Sequence, residues 1–137
     1  MTHSARLPRP SEAELEILDV LWRRGPSTVR EVWQALASDR APGYTTVLKF
    51  MQIMTAKRLV SRKKDSIRNK DQRAHVYQAS VSREQTQRQL LTHLVDRAFG
   101  GSALQLAQQA LASAKQASPE DLAEIRRMLA EFERNKS

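Results

Sequence analysis

The stretch of residues 43–54, GYTTVLKFMQIM, contains the side chains best suited to recognise another macromolecule. Its apolar residues recur at the i, i+3, i+4, i+7 spacing of a buried helix face. They are Val47, Phe50, Met51 and Met54. The opposite face is short, polar and positive, and consists of Thr45, Thr46, Lys49 and Gln52. Hydroxyl, amide and ammonium groups can bond base edges in the major groove, so this helix can read DNA; the alternative is an ordinary solvated face.

The elements that must position this helix precede it in the chain. Ser11 and Glu14 have the S-x-x-E spacing of a capping box, which predicts the start of a helix that ends at Gly25-Pro26. A second box at residues 28–31 opens a short helix that ends near residue 36. The apolar residues of both helices keep helical spacing and are Leu15, Leu18, Leu21, Trp22, Val29, Val32, Trp33 and Leu36. A short helix, a turn and a groove-facing helix make a helix-turn-helix.

A basic hairpin is predicted after the third helix. Residues 59–64 and 74–78 have the pattern of two short strands, and residues 65–73 are too polar for a core, so we expect a mobile loop between the strands. The cations of this region are Arg62, Lys63, Lys64, Arg68, Lys70 and Arg73. Six cations against two aspartates suit contact with phosphate, although a charged solubilising loop has the same composition.

Residues 81–137 are predicted to form three amphipathic helices. They begin after Ser82, after Gly100-Gly101 and after Ser118, whose following proline and acidic residues favour a helix start. Three such helices with no strand among them need a partner surface for their apolar faces. We therefore expect a two-fold interface between two copies of the chain, formed by Leu90, Leu94, Leu104, Leu111, Ile125, Leu129 and Phe132.

Charge and composition narrow the class of protein. The chain of 137 residues has a formal charge of +8 and a sequence pI near 10.4. Residues 1–82 hold 15 Lys and Arg against 8 Asp and Glu, whereas residues 83–137 hold 8 against 7. A polyanionic partner therefore belongs to the first part of the chain.

The sequence lacks the residues that several classes of protein function require. There is no cysteine, His3, His75 and His93 lack metal-ligand spacing, and the carboxylates fall mainly in capping boxes and on helix faces. We therefore expect neither an enzyme nor a cofactor nor a metal site. The chain has no long apolar run and no secretory leader, so we expect a soluble, cytoplasmic protein that does not insert into a membrane.

The order of these segments resembles that of the penicillinase-repressor family of the BlaI, MecI and CopY type. The resemblance rests on residues 44–47 (YTTV), 57–60 (KRLV), 73–77 (RAHVY) and 99–102 (FGGS), and extends from about Pro10 to Leu129. It implies a mostly α fold with a small β-hairpin: an N-terminal winged helix-turn-helix over residues 1–80 and a C-terminal helical dimerisation region over residues 81–137.

The resemblance also implies partners and site residues. A homodimer would bind double-stranded operator DNA at an inverted repeat, with Tyr44, Thr45, Thr46, Lys49 and Gln52 of the reading helix and the six hairpin cations in contact with it. Members that respond to beta-lactams are inactivated by proteolysis in the C-terminal half, cued by a membrane metalloprotease sensor.

Three features depart from the family pattern. Leu48 stands where several relatives carry a polar or basic residue, and we expect it to meet a thymine methyl. The hairpin loop is longer than the usual turn. The Asn-Phe cleavage pair of some members is absent, because the corresponding residues 106–111 read LAQQAL, and the C-terminal cysteine motif of copper-responsive members is absent too.

Three alternatives to a sequence-specific repressor remain at this point. A non-specific architectural DNA binder would use the same positive charge without reading bases. A helical adaptor would bind another protein through residues 81–137 and would show no salt-dependent DNA binding. A ligand-sensing regulator is also open, although nothing in the sequence marks a pocket.

Overall fold

The computed structural model describes residues 8–38, 40–67, 75–113, 116 and 118–136, and for residues 64–67 and 136 it describes the backbone alone. The described elements in chain order are α1 (Glu12–Arg24), β1 (Ser27–Thr28), α2 (Val29–Ala35), α3 (Tyr44–Ala56), β2 (Val60–Ile67), β3 (His75–Ala79), α4 (Arg83–Ala98), α5 (Ala103–Ser113) and α6 (Pro119–Lys136). The chain forms two compact units, residues 1–92 and 93–137. Helix α4 begins in the first unit and ends in the second.

Both predicted capping boxes of the helix-turn-helix are confirmed. The Ser11 hydroxyl accepts the Glu14 amide at 3.2 Å and the Glu14 carboxylate accepts the Ser11 amide at 2.8 Å, which starts α1. Thr28 and Glu31 make the same reciprocal pair at the start of α2. Gly25 ends α1 with φ +87°, a region that disfavours residues with a Cβ. These local signals set the length of each helix and hence where α3 can lie.

The hairpin is confirmed, but it belongs to a three-stranded antiparallel sheet of order β1-β3-β2. Ser27 pairs with Tyr77 and thereby adds β1, a two-residue strand that the sequence did not predict. Strand β2 is longer than expected, because residues 65–67 extend it instead of starting the loop. Between the pairs Arg62–Tyr77 and Ile67–His75, β2 advances five residues while β3 advances two, so the register of the pairing shifts within β2.

The core of the first unit lies where α1, α2 and α3 meet the sheet. Its buried hydrophobic residues are Ile17, Leu18, Val20, Leu21, Val29, Val32, Val47, Met51, Met54, Leu59, Val60, Tyr77 and Val81. Ile17 and Val20 were not among the predicted core residues of α1, and Leu15 and Trp22, which were, are only half-buried. The core-facing stripe of α1 is therefore turned toward residues 17 and 20, and Leu15 and Trp22 lie at its edge.

The second unit contains the end of α4 and helices α5 and α6. Gly100 and Gly101 have φ +56° and +86°, and the Gly101 amide donates to the Val95 carbonyl at 2.8 Å, which ends α4 where predicted. Ser118 and Asp121 form a reciprocal cap at the start of α6. No residue of α5 is buried, and neither is any described side chain of α6.

Candidate nucleic-acid interface

Helix α3 has one buried face and one exposed polar face, as predicted. Val47, Met51 and Met54 are each 0% exposed and fix the helix to the core. The residues of α3 that were predicted to contact DNA are all exposed and are Tyr44, Thr45, Thr46, Lys49 and Gln52. The buried contacts hold the backbone, so the exposed side chains project from a rigid support, which is what base reading requires.

Two apolar residues of α3 differ from expectation. Leu48 is half-buried and packs against the core, so it is not the exposed apolar residue of the helix, and Phe50 also packs there without being fully buried. Ile53 is 38% exposed, and at helical spacing it lies beside Thr46 and Lys49. The sequence did not single out Ile53, because it lies outside the predicted buried stripe of α3 and offers no polar group.

The start of α3 is surrounded by aromatic and cationic side chains. The Tyr44 ring meets the Trp33 ring edge-on with centroids 5.8 Å apart, and the Arg30 guanidinium carbon lies 5.7 Å from the Tyr44 centroid. The N-cap residue Gly43 makes no side-chain hydrogen bond to the first turn. Backbone amides, a phenol and an exposed guanidinium therefore share one corner of the domain, and Arg30 is a candidate that the sequence did not single out.

The basic hairpin is described in part. Arg62 and Lys63 are exposed on β2. Lys64 lies on the same strand, where only the backbone is described, and Arg68, Lys70 and Arg73 lie outside the described residues. The structure therefore places two of the six predicted hairpin cations at the surface of the sheet and leaves the others as predictions.

An ion pair joins the end of α3 to the start of α1. The Lys57 ammonium lies 2.9 Å and 3.0 Å from the two carboxylate oxygens of Glu14, whose side chain is 2% exposed against 37% for Lys57. Lys57 is the C-cap residue of α3, so this contact positions α3 from its C-terminal end. Burial by itself raises the pKa of Glu14, but hydrogen bonds from the Ser11 amide and the Lys57 ammonium outweigh it and hold the pKa below its ordinary value.

Glu14→Gln is expected to reduce the free energy of unfolding by about 1–3 kcal/mol at pH 7, because the charge-assisted bonds to Ser11 and Lys57 are removed. A carboxyl whose pKa is lowered by folding stabilises the native state above its unfolded pKa, and this contribution is lost as the pH falls through the folded value. The difference between wild type and variant should therefore shrink below the ordinary pKa of 4.5. Urea unfolding of both proteins across pH 3–7 measures this difference in the free energy of unfolding.

The control for that measurement is Glu84→Gln, which removes an exposed carboxylate from the first turn of α4. It should change the free energy of unfolding by a few tenths of a kcal/mol, as expected of a surface charge near a helix start. Equal effects of the two substitutions at every pH would mean that the Glu14–Lys57 pair does not hold α3.

Residues 10–131 match the sequence profile of the penicillinase repressor family. The chain belongs to this family. It is 32% identical over 130 residues to the transcriptional regulator BlaI of Mycobacterium tuberculosis, in strains CDC 1551 / Oshkosh and ATCC 25618 / H37Rv, with 94% of this chain and 88% of the relative covered. It is also similar to the crystal structure of transcriptional regulator Tm0710 from Thermotoga maritima, with 18% identity, a TM-score of 0.46, and coverage of 91% of this chain and 78% of that one.

Membership of the penicillinase repressor family makes the chain a DNA-binding transcriptional repressor with a winged helix. The described residues contain no helix with the length and apolar character needed to cross a bilayer. Within the same residues, no group of three or more His, Cys, Asp or Glu side chains is placed to hold a metal ion.

Proposed function

We propose that the protein acts in the cytoplasm as a homodimer that occupies an inverted-repeat operator, with α3 of each copy in the major groove. The observation that carries the proposal is the division of α3 into a face with 0% exposure at Val47, Met51 and Met54 and an opposite face of exposed polar groups. A helix held this firmly can present its side chains to base edges at a fixed depth. Occupation of a promoter then excludes the polymerase without a chemical step.

The base contacts come from the exposed polar face of α3, from its first turn to its middle. Thr45, Thr46, Lys49 and Gln52 offer hydroxyl, ammonium and amide groups, which suit acceptors on guanine and paired donor and acceptor groups on adenine. Ile53 is the exposed apolar residue beside them and is the better candidate for a thymine methyl than the half-buried Leu48. The preferred operator should therefore contain a thymine at the position that Ile53 faces.

Phosphate contacts fix the depth and angle of α3. The uncapped first turn of α3 supplies backbone amides, and Tyr44 with Arg30 beside it supplies a hydroxyl and a cation. Arg62 and Lys63 on β2, with the remaining hairpin cations, would contact the backbone from the wing. These groups carry no sequence information, so they position the reading helix without choosing the operator.

Replacing Arg62 and Lys63 by glutamine is expected to weaken binding to operator and to unrelated duplex by the same factor. If each cation meets a phosphate, the slope of log K against log salt should fall by about 0.9 for each phosphate interaction that is removed. The control is Arg88→Gln, an exposed cation on α4 outside the reading helix and the hairpin. A slope that stays at the wild-type value would make the hairpin a solubilising surface.

The exposed apolar side chains of the second unit support the proposal of a dimer. Among the described side chains of α5 and α6, none is buried. Even the large apolar ones are exposed: Leu104 is 68%, Leu129 57% and Phe132 59% exposed. Faces this apolar are covered by another surface in a stable protein, and a second copy supplies an identical face by two-fold symmetry. The proposed interface consists of the seven apolar residues predicted from the sequence. Of the other four, Leu94 and Leu111 are exposed and Ile125 is half-buried. Leu90 borders a cavity of the first unit.

Relief of repression by proteolysis would act through the same interface. A cut between α4 and α6, in the region 101–118, would separate the apolar faces from the DNA-binding unit and abolish the dimer. A membrane metalloprotease sensor, as in the relatives that respond to beta-lactams, is the partner that this route requires.

Competition between DNA duplexes tests the proposal against a non-specific architectural role. A labelled operator bound by the full-length protein is challenged with unlabelled operator or with unrelated duplex of equal length. A repressor that reads bases should need at least about a thousandfold more unrelated duplex for the same displacement. Displacement at equal concentrations would favour the architectural protein.

A further inference from the structure

A cavity of about 480 Å³ lies in the first unit between α1 and the first turns of α4, away from the polar face of α3. Its apolar lining comes from three elements, with Leu15 and Trp22 on α1, Leu36 at the end of α2 and Leu90 on α4. The volume falls within the roughly 300–1,000 Å³ that is typical of small-molecule sites in proteins. Of the residues that line this cavity, the repressor function described above uses only Leu90, in the proposed dimer interface.

The junction between α1 and α4 beside the cavity is held by named contacts. The Trp22 indole nitrogen donates to the Val81 carbonyl at 2.9 Å, and the Arg83 guanidinium carbon lies 5.0 Å from the Trp22 ring centroid. Arg83 also pairs with Asp19 at 3.1 Å. These contacts link the two walls of the cavity, which is open to solvent on one side.

The charge of the cavity is negative in a protein of net charge +8. Its two cations, Arg23 and Arg83, are both bound to Asp19, at 2.9 Å and 3.1 Å. Glu12 and Glu16 also line it, one helical turn apart on α1, and both are exposed. Among the described residues neither of these two glutamates forms an ion pair, so two carboxylates remain available in the lining, beside its apolar residues.

We propose that this cavity binds a small organic cation, an amine or guanidine with an apolar body. The apolar part would lie against Leu15, Trp22 and Leu36, and the cationic group would reach Glu12 and Glu16. An anionic ligand is disfavoured because the lining holds three carboxylates against two guanidinium groups, a net charge of −1, and both guanidinium groups already bind Asp19. The ligand would touch both α1 of the DNA-binding unit and α4, the helix that continues into residues 93–137.

Three probes with one carbon skeleton test the charge preference: 4-phenylbutylamine, 4-phenylbutanol and 4-phenylbutyrate. Each is titrated into the full-length protein by calorimetry, and the Trp22 indole N–H signal is followed by NMR after assignment with Trp33→Phe. The amine is expected to bind at least about tenfold more tightly than the alcohol, and the acid least tightly. The Trp22 signal should shift with the amine because Trp22 lines the cavity.

The Glu12→Gln/Glu16→Gln variant should bind the amine no better than the alcohol while keeping its affinity for the alcohol. Its control, Glu84→Gln/Glu120→Gln, makes the same change in net charge at exposed sites outside the cavity and should keep the tenfold preference. Each of four outcomes would overturn the proposal. The first two are that the full-length protein binds none of the probes, or binds all three equally. The other two are that the Trp22 signal stays unmoved, or that the amine preference survives Glu12→Gln/Glu16→Gln. None of these measurements involves DNA, so their outcome is independent of the proposed repressor mechanism.

Discussion

Lys49→Ala is expected to weaken operator binding by roughly 30-fold or more while weakening binding to unrelated duplex only a few-fold. A good base contact is worth about 1–3 kcal/mol, and a dimer loses it twice, once in each half-site. Thr46→Ala should act in the same direction with a smaller effect, because one hydroxyl makes fewer hydrogen bonds than an ammonium. Both side chains are exposed on a helix whose other face is fully buried, so neither change should unfold the protein.

The measurement is a pair of titrations, on operator and on unrelated duplex, at one salt concentration. Arg88→Ala is the control for Lys49→Ala, since it removes one exposed cation from α4 and leaves α3 intact. An equal loss on both duplexes would remove Lys49 from base reading and assign it to phosphate.

Leu129→Asp is expected to leave the protein monomeric at micromolar concentration and to lower operator affinity by about 10²–10⁴-fold. Leu129 is 57% exposed in the single chain, and a carboxylate there would be buried in the proposed interface. Once the copies separate, the second recognition helix no longer binds intramolecularly and its effective concentration is lost. Binding to a single half-site should be unchanged, because the first unit is untouched.

Ala130→Asp is the matched control for this prediction. Ala130 is the next residue of α6, is exposed, and at helical spacing faces away from the stripe of Ile125, Leu129 and Phe132. This substitution also introduces an aspartate, with the same charge and the same low helix propensity. The Ala130→Asp protein should nevertheless stay dimeric by sedimentation and keep its affinity for the operator. Dimers of both variants, or monomers of both, would contradict the proposed face.

The parts of the fold that rest on neighbouring residues could be predicted from the sequence. The capping boxes at Ser11 and Thr28 bond residues three apart, and the exposed and buried faces of α3 follow from helical periodicity. The glycines at 100 and 101 end α4 because they adopt positive φ. Each of these features is decided within one or two turns of chain.

The parts that rest on distant residues could not be predicted in this way. Ser27 becomes a strand only because Tyr77 lies beside it, and Glu14, while still capping α1, gains an ion pair because Lys57 reaches it. The cavity likewise depends on α4 meeting α1 through the Arg83–Asp19 pair. Helical spacing placed Leu48 near the reading face, but the core draws it inward and leaves Ile53 exposed instead.

The central claim is that a two-fold dimer reads an inverted repeat through α3. The most direct test selects duplexes that the full-length protein binds from a random pool and sequences them. A two-fold dimer that reads bases through α3 should enrich an inverted repeat whose half-site centres lie about one helical turn, or a multiple of it, apart. A pool that shows no common motif after selection, or a single motif without its inverted copy, would contradict the account.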